Sequence, residues 1–213
     1  MWEELSDPWQ AALDLAWQAY CDDCYPIGAV VTDPDGLILS RGRNRVYPRR
    51  LWGKEARGVD IAHAEMEALR ELDYTSIDPQ ACCLYSTTEP CPMCLGTFYM
   101  SGLRTLHFAS REPFSGSVNL LGKTWYLDRK KINLFGPFDP KLEIVIMVMA
   151  VEQDCSMHGG SLPENELYQR WEAIIPQGVE LGKRMGKSGE LCAMRKQGAS
   201  SADVINWLTS LVQ

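Results

Sequence analysis

A chain of 213 residues, 46% hydrophobic and 23% charged, has material for a globular core with one elaboration, which excludes a low-complexity or disordered polymer. Its net charge of -7 argues against the broad basic surface with which nucleic-acid binders neutralise phosphates, and favours a small-molecule partner. No apolar run approaches the roughly 20 residues of a membrane span and the acidic start carries no export leader, so the cysteines are expected as reduced thiols in a cytoplasm.

In chain order, Asp7-Pro8 is a helix-start signal, with Gln10 at capping-box spacing. Trp9, Ala12, Leu13, Ala16, Trp17 and Tyr20 then recur at helical spacing, which predicts a helix to about Cys21 with its tryptophans in the core. "IGAVVTDPDGLILSRG" reads as a β-hairpin turning at Asp33-Pro34-Asp35-Gly36. Residues 47–60 read as a polar, Gly-containing loop. A helix is predicted from about Ala62 to Leu72, carrying Ala62, Met66 and Leu69 inward. "ACCLYSTT" reads as a strand, Pro90-Cys91-Pro92 opens a helix to about Ser101, and "RTLHFAS" is a further strand. "KLEIVIMVMAV" reads as a buried strand. Beyond about Val151 the texture becomes that of short helices joined by Gly-rich and Ser-rich links, a tail that covers a sheet face or a partner subunit.

Strands that begin as a hairpin and then alternate with helices predict a layered α/β fold with a mixed sheet. The expected organisation is one catalytic domain over residues 1–150 and a C-terminal helical extension over 151–213, both within one compact unit.

Three histidines can be weighed singly. His107 alternates with Leu106 and Phe108 in a strand and reads as structural; His158 is Gly-flanked and reads as solvated. His63 differs, because "IAHAEMEAL" places it at the start of a helix two residues before Glu65. Cys91 and Cys94 also open a helix, three residues apart and therefore on one face. Helix N-termini lower a thiol's pKa and favour the thiolate that zinc needs. His63, Cys91 and Cys94 supply three ligands, whereas a closed structural zinc has four and a catalytic zinc keeps the fourth position for water. Glu65 is poorly placed as a fourth ligand and well placed as a general acid/base. Two other readings of the cysteine pair exist. A four-cysteine structural site with Cys21 and Cys24 would have to bridge a gap of 66 residues, and a redox dithiol has no use for His63 and Glu65.

"HAE" at 63–65 with "PCPMC" at 90–94 resembles the zinc-dependent cytidine/deoxycytidylate deaminase superfamily over residues 8–122. The resemblance implies a three-layer α/β/α fold with a mixed five-stranded sheet, one Zn²⁺ per chain, and a homodimer. "YPIGAVV", "GRN" and "EPCPMCLG" are similar to the branch that holds tRNA adenosine deaminases and guanine deaminases. There the residues matching Asn44 and the Ala64 backbone bind the base. Some features depart from that branch: in "ASREPFSG" Glu112 stands where the tRNA enzymes carry Asp and the Lys that follows there is missing, the tail is extra, and it lacks the terminal aromatic expected of guanine deaminases. The expected substrate is a small nucleobase or nucleoside, purine type, with tRNA adenosine and cytosine or cytidine as alternatives. Residues 41–50, "RGRNRVYPRR", are the one dense basic cluster that keeps RNA in view.

Overall fold

The computed structural model describes residues 1–46 and 61–212, so the loop expected over 47–60 lies outside the described residues. Helix α1 (Asp7–Cys21) begins where Asp7-Pro8 signals it, with Ser6 as the extended N-cap residue. Gln10 does not close a capping box; its amide donates instead to the carbonyls of Trp2 and Leu5, at 3.0 and 3.1 Å. The hairpin forms as β1 (Gly28–Thr32) and β2 (Ile38–Arg43), and Asp33 Oδ1 accepts from the Asp35 and Leu37 amides across the turn. Helix α2 (Ala64–Arg70) follows, shorter than the predicted 62–72, with Ala62 and Leu69 buried and Met66 half-buried. Strand β3 (Cys83–Thr88), helix α3 (Pro92–Ser101) and strand β4 (Thr105–Ser110) match their predicted segments.

The fifth strand is not the one expected. It is β5 (Asn133–Phe135), three exposed residues at the sheet edge, and "KLEIVIMVMAV" lies instead within helix α4 (Pro140–Met157). Asp139 caps that helix, accepting from the Lys141 and Leu142 amides at 2.9 Å, with Pro140 in the first turn. The apolar run has no period because α4 is buried on most of its circumference. Position 151, the expected border between domain and tail, falls inside α4. Helices α5 (Glu166–Ile174), α6 (Pro176–Ser188), α7 (Glu190–Lys196) and α8 (Ser201–Ser210) complete the chain.

The sheet has strand order β2-β1-β3-β4-β5, antiparallel on the hairpin side and parallel from β3 to β5. This is the mixed five-stranded sheet between helical layers that the sequence led us to expect. On one side, Trp9, Leu13 and Trp17 of α1 pack with Leu142, Val145 and Met149 of α4 and with Val204, Ile205 and Leu208 of α8. On the other, Ala68 and Leu69 of α2 and Leu95 and Phe98 of α3 cover Ala29, Val31, Leu84 and Leu106. The tail therefore covers a face of its own chain. Trp17 also donates its indole N–H to the Ala199 carbonyl at 2.9 Å, tying α1 to the chain just before α8.

Candidate metal and catalytic site

Two helix N-termini meet at the ends of β2 and β3. His63 is the N-cap residue of α2, in extended backbone (φ -71°, ψ 154°), so it precedes the helix in which it was expected. Cys91 holds the equivalent place before α3 (φ -69°, ψ 170°), and Cys94 sits one turn in. What brings α2 close is Gly42 in β2, where a Cβ would overlap the Ala64 carbonyl and the Ala68 amide. A larger residue there would push α2, and His63 with it, off the sheet.

The three predicted ligands converge. Cys91 Sγ lies 3.7 Å from His63 Nδ1, Cys94 Sγ lies 3.5 Å from the same nitrogen, and the two sulfurs are 3.6 Å apart. A tetrahedral zinc with bonds of about 2.3 Å to sulfur and about 2.0 Å to nitrogen needs edges of about 3.8 Å between the sulfurs and about 3.5 Å from sulfur to nitrogen. The triangle already has the size of one face of that tetrahedron, so the donor set fits zinc. Among the described residues this is the one His/Cys/Asp/Glu group assembled to hold a metal; Cys21 and Cys24 take no part in it.

The thiols are polarised against each other. Cys91 is held down to about 4, first by the thiol of Cys94, then by His63 and the Cys94 amide, while Cys94 is pushed up by that same bond and by burial. The pair thus favours the thiolate form on Cys91, as does its place at the helix terminus. Glu65, 3% exposed, lies on the first turn of α2 and accepts from Ser86 Oγ of β3 at 3.2 Å. Burial pushes its carboxyl up, opposed by its own backbone N–H and by His63. A carboxyl raised toward neutrality beside a metal face is suited to taking and returning a proton.

The two residues expected to orient a substrate lie on neighbouring segments. Ala64 is fully buried as the first residue of α2. Asn44, 2% exposed, follows β2; its Oδ1 accepts from the Val46 amide and its backbone N–H donates to Ile27, both at 2.9 Å. The Arg45 amide donates to the Ala62 carbonyl at 2.9 Å, which fixes this segment beside the one that carries His63. His107 stacks between Tyr85 and Phe135 at 4.4 and 4.7 Å, and burial lowers its pKa, consistent with a structural role. His158 is exposed at the end of α4, its Nδ1 2.8 Å from the Asp154 carbonyl.

Glu89 is a residue that sequence reasoning passed over. Its carboxylate accepts from the Glu112 and Val118 amides at 3.3 and 3.2 Å, while Ser117 donates through its amide and hydroxyl to the Pro90 carbonyl at 3.1 and 2.8 Å. Residues 112–118 therefore brace the two residues that precede Cys91. Only its adjacency to "PCPMC" signalled this.

Residues 3–110 match the family model described as the cytidine and deoxycytidylate deaminase zinc-binding region. The chain belongs to that family. It is 31% identical over 141 residues to a tRNA-specific adenosine deaminase of Bacillus subtilis, covering 64% of this chain and 73% of that one. It is 35% identical over 98 residues to a probable cytosine deaminase of Schizosaccharomyces pombe, covering 46% and 54%. A solved structure in complex with 2,6-diaminopurine superposes with a TM-score of 0.54 at 27% identity, covering 70% of this chain and 82% of that one. The chain spans only 21% to 54% of the length of the first curated relatives it matches.

Proposed function

We propose that this chain is a zinc-dependent hydrolytic deaminase that releases ammonia from an amino-substituted nucleobase or nucleoside of purine type. The observation that carries the reading is the metal-sized triangle of His63, Cys91 and Cys94 with the buried carboxyl of Glu65 beside it. Zinc held there supplies a Lewis acid that makes water nucleophilic at neutral pH. Two thiolate ligands offset the metal charge, so a separate base has work to do. Glu65 takes the water proton, delivers it to a ring nitrogen, and assists departure of the amine. Asn44 offers donor and acceptor together, and with the Ala64 backbone it orients the ring.

The purine preference is supported by the similarity to a protein solved with 2,6-diaminopurine. A free small molecule, a cytoplasmic setting and a homodimer belong to the same reading. RNA is the second reading, favoured by the tRNA-specific relative and by the basic cluster. Against it, Arg43 pairs with Asp22, Arg45 lies 3.9 Å from Glu67, and the net charge is -7. Residues 47–50 of that cluster lie outside the described residues. An ammonia-release assay across guanine, adenosine, cytosine and cytidine, with tRNA assayed for inosine in parallel, tests the proposal. Release from a purine supports it. Turnover of cytosine or cytidine alone replaces the purine assignment, inosine in tRNA moves the substrate to RNA, and no release from any of them defeats the reading.

A further inference from the structure

Polar contacts from α4 and α5 converge on the two loops that flank the site. From α4, Glu143 receives Arg111 bidentately, Nε and the terminal nitrogen each donating at 2.7 Å, and also accepts from the Arg111 amide at 3.0 Å. From α5, the Trp171 indole N–H donates to Glu112 Oε1 at 2.9 Å. Glu112 in turn donates its amide to Glu89, whose neighbour Pro90 precedes Cys91. The second loop lies ahead of β1. Asp154 of α4, fully buried, accepts from the Tyr168 hydroxyl at 3.1 Å and interacts electrostatically with the nearby Tyr25 side chain. The Tyr25 carbonyl receives the Ile27 amide at 2.7 Å, and the Ile27 carbonyl receives the Asn44 amide at 2.9 Å.

These links form two short relays from the tail, one ending at the ligand Cys91 and the other at Asn44. Burial of the tail alone does not require them, because Trp171 and Tyr168 also sit in an apolar cluster with Met147, Val151 and Val179. Buried polar groups are costly unless paired, so each relay fixes one geometry where apolar packing would tolerate several.

We infer that Tyr25, Asp154, Glu112 and Trp171 are positioning residues through which α4 and α5 hold the Asn44 and Cys91 segments in register for the reaction proposed above. The inference rests on that reading of the site and adds a mechanical role for the tail. It assigns Tyr25 and Trp171 to the relays by single atoms, a hydroxyl oxygen and an indole nitrogen, so each can be tested by removing one polar group.

Tyr25→Phe deletes the hydroxyl and Trp171→Phe deletes the indole N–H, with an aromatic ring kept in both. The comparator is Tyr20→Phe, which deletes a buried hydroxyl bonded to Glu152 at 2.5 Å between α1 and α4 and touches neither loop. Steady-state kinetics on whichever base releases ammonia should show KM raised about fivefold for Tyr25→Phe, the effect of losing one buried polar contact's worth of positioning. For Trp171→Phe, kcat/KM should fall by about the same factor, and both variants should keep one zinc per chain. Tyr20→Phe should melt lower with wild-type kinetics. Amide hydrogen exchange provides a readout independent of turnover: the Asn44 amide should exchange faster in Tyr25→Phe, and those of residues 112–118 in Trp171→Phe, with α2 unchanged. If both variants behave as the Tyr20→Phe comparator does, losing melting temperature alone, the inference is overturned. It is likewise overturned by wild-type exchange at those amides. Should the wild-type protein release ammonia from nothing, the deaminase reading fails, and exchange alone then decides the relays.

Discussion

Glu65 shows how one residue's surroundings decide its chemistry. A carboxylate two positions from a ligand is ordinarily a candidate ligand itself, but here His63 stands ahead of the helix and Glu65 within it, with Ser86 donating to its Oε1. Glu65→Gln keeps that shape and removes the proton acceptor, so turnover should fall by about 10²-fold or more. Zinc content, measured by metal analysis, should stay at one per chain. Loss of zinc together with activity would make Glu65 a ligand and refute its acid/base role. Asp154 makes a second prediction, this time about stability. Burial, ahead of any other influence, pushes its carboxyl up to about 6 from an ordinary 3.8. The native state therefore binds more protons than the unfolded chain between those values, and stability falls as pH rises through that window. At about 1.4 kcal/mol per pH unit the fall amounts to about 2–3 kcal/mol. Asp154→Asn cannot titrate, so urea midpoints should show the variant gaining on the wild type from pH 4 to pH 7; parallel curves would contradict the assignment. The candidate group of His63, Glu65, Cys91 and Cys94 could be picked out in the sequence because each half of it lies within about one helical turn. Tyr25, Glu112, Asp154 and Trp171 could not, because their contacts join residues far apart in the chain and no local pattern marks them.

Among the elements, α4 and α6 carry the clearest instruction and the clearest misreading. Gly178, Gly182 and Gly186 recur every fourth residue on α6 and face Met147, Val151 and Cys155, themselves four apart on α4. Each glycine lets the helices approach until a Cβ would meet the opposite side chain, at 2.5 Å from the Val151 Cβ in the case of Gly182. Mid-helix Gly→Ala ordinarily stabilises by about 1 kcal/mol. Gly182→Ala should do the reverse, because overpacking costs about 1–3 kcal/mol, and a lower urea midpoint with an unchanged slope would record it. A raised midpoint would mean that α6 is free to move off α4. Sequence reading took tail glycines for links, since in one chain a glycine that breaks a helix and one that lets two helices touch look alike. It took residues 141–151 for a strand because the segment is one long apolar run, although Asp139-Pro140 repeats the start signal honoured at Asp7-Pro8. The strand that does complete the sheet, β5, has three exposed residues and no alternation to read. By contrast α1, the hairpin, β3, α3 and β4 were visible, each having a face or a turn that its own residues specify.

At the scale of the whole molecule, the question is whether the C-terminal segment is an appendage to a finished catalytic domain. The packing says it is not. Beyond α4, the side chains of Leu181, Met185, Leu191, Val204, Ile205, Leu208 and Val212 share one core with Trp9, Leu13, Trp17 and Leu142. Removing that set exposes the outer faces of α1 and α4 to water. At about 1.5–3 kcal/mol for each buried aliphatic side chain, the loss is about 10–20 kcal/mol, which equals or exceeds the roughly 5–15 kcal/mol that holds a typical domain together. A chain ending at Met157 keeps every residue of the metal triangle, and Glu65 and Asn44 with them, yet it should fail to fold cooperatively. Expression should yield aggregated protein or a species without a thermal transition, and zinc binding should be lost with the fold. The apolar faces left open on α1 and α4 would themselves drive that aggregation. Calorimetry and metal analysis on the shortened chain decide the matter. A soluble product that melts cooperatively with one zinc bound would show that the first 157 residues fold alone and that the tail only adds to them. The 213-residue chain should instead unfold in a single transition, because a core shared by α1, α4 and α8 cannot be lost in parts.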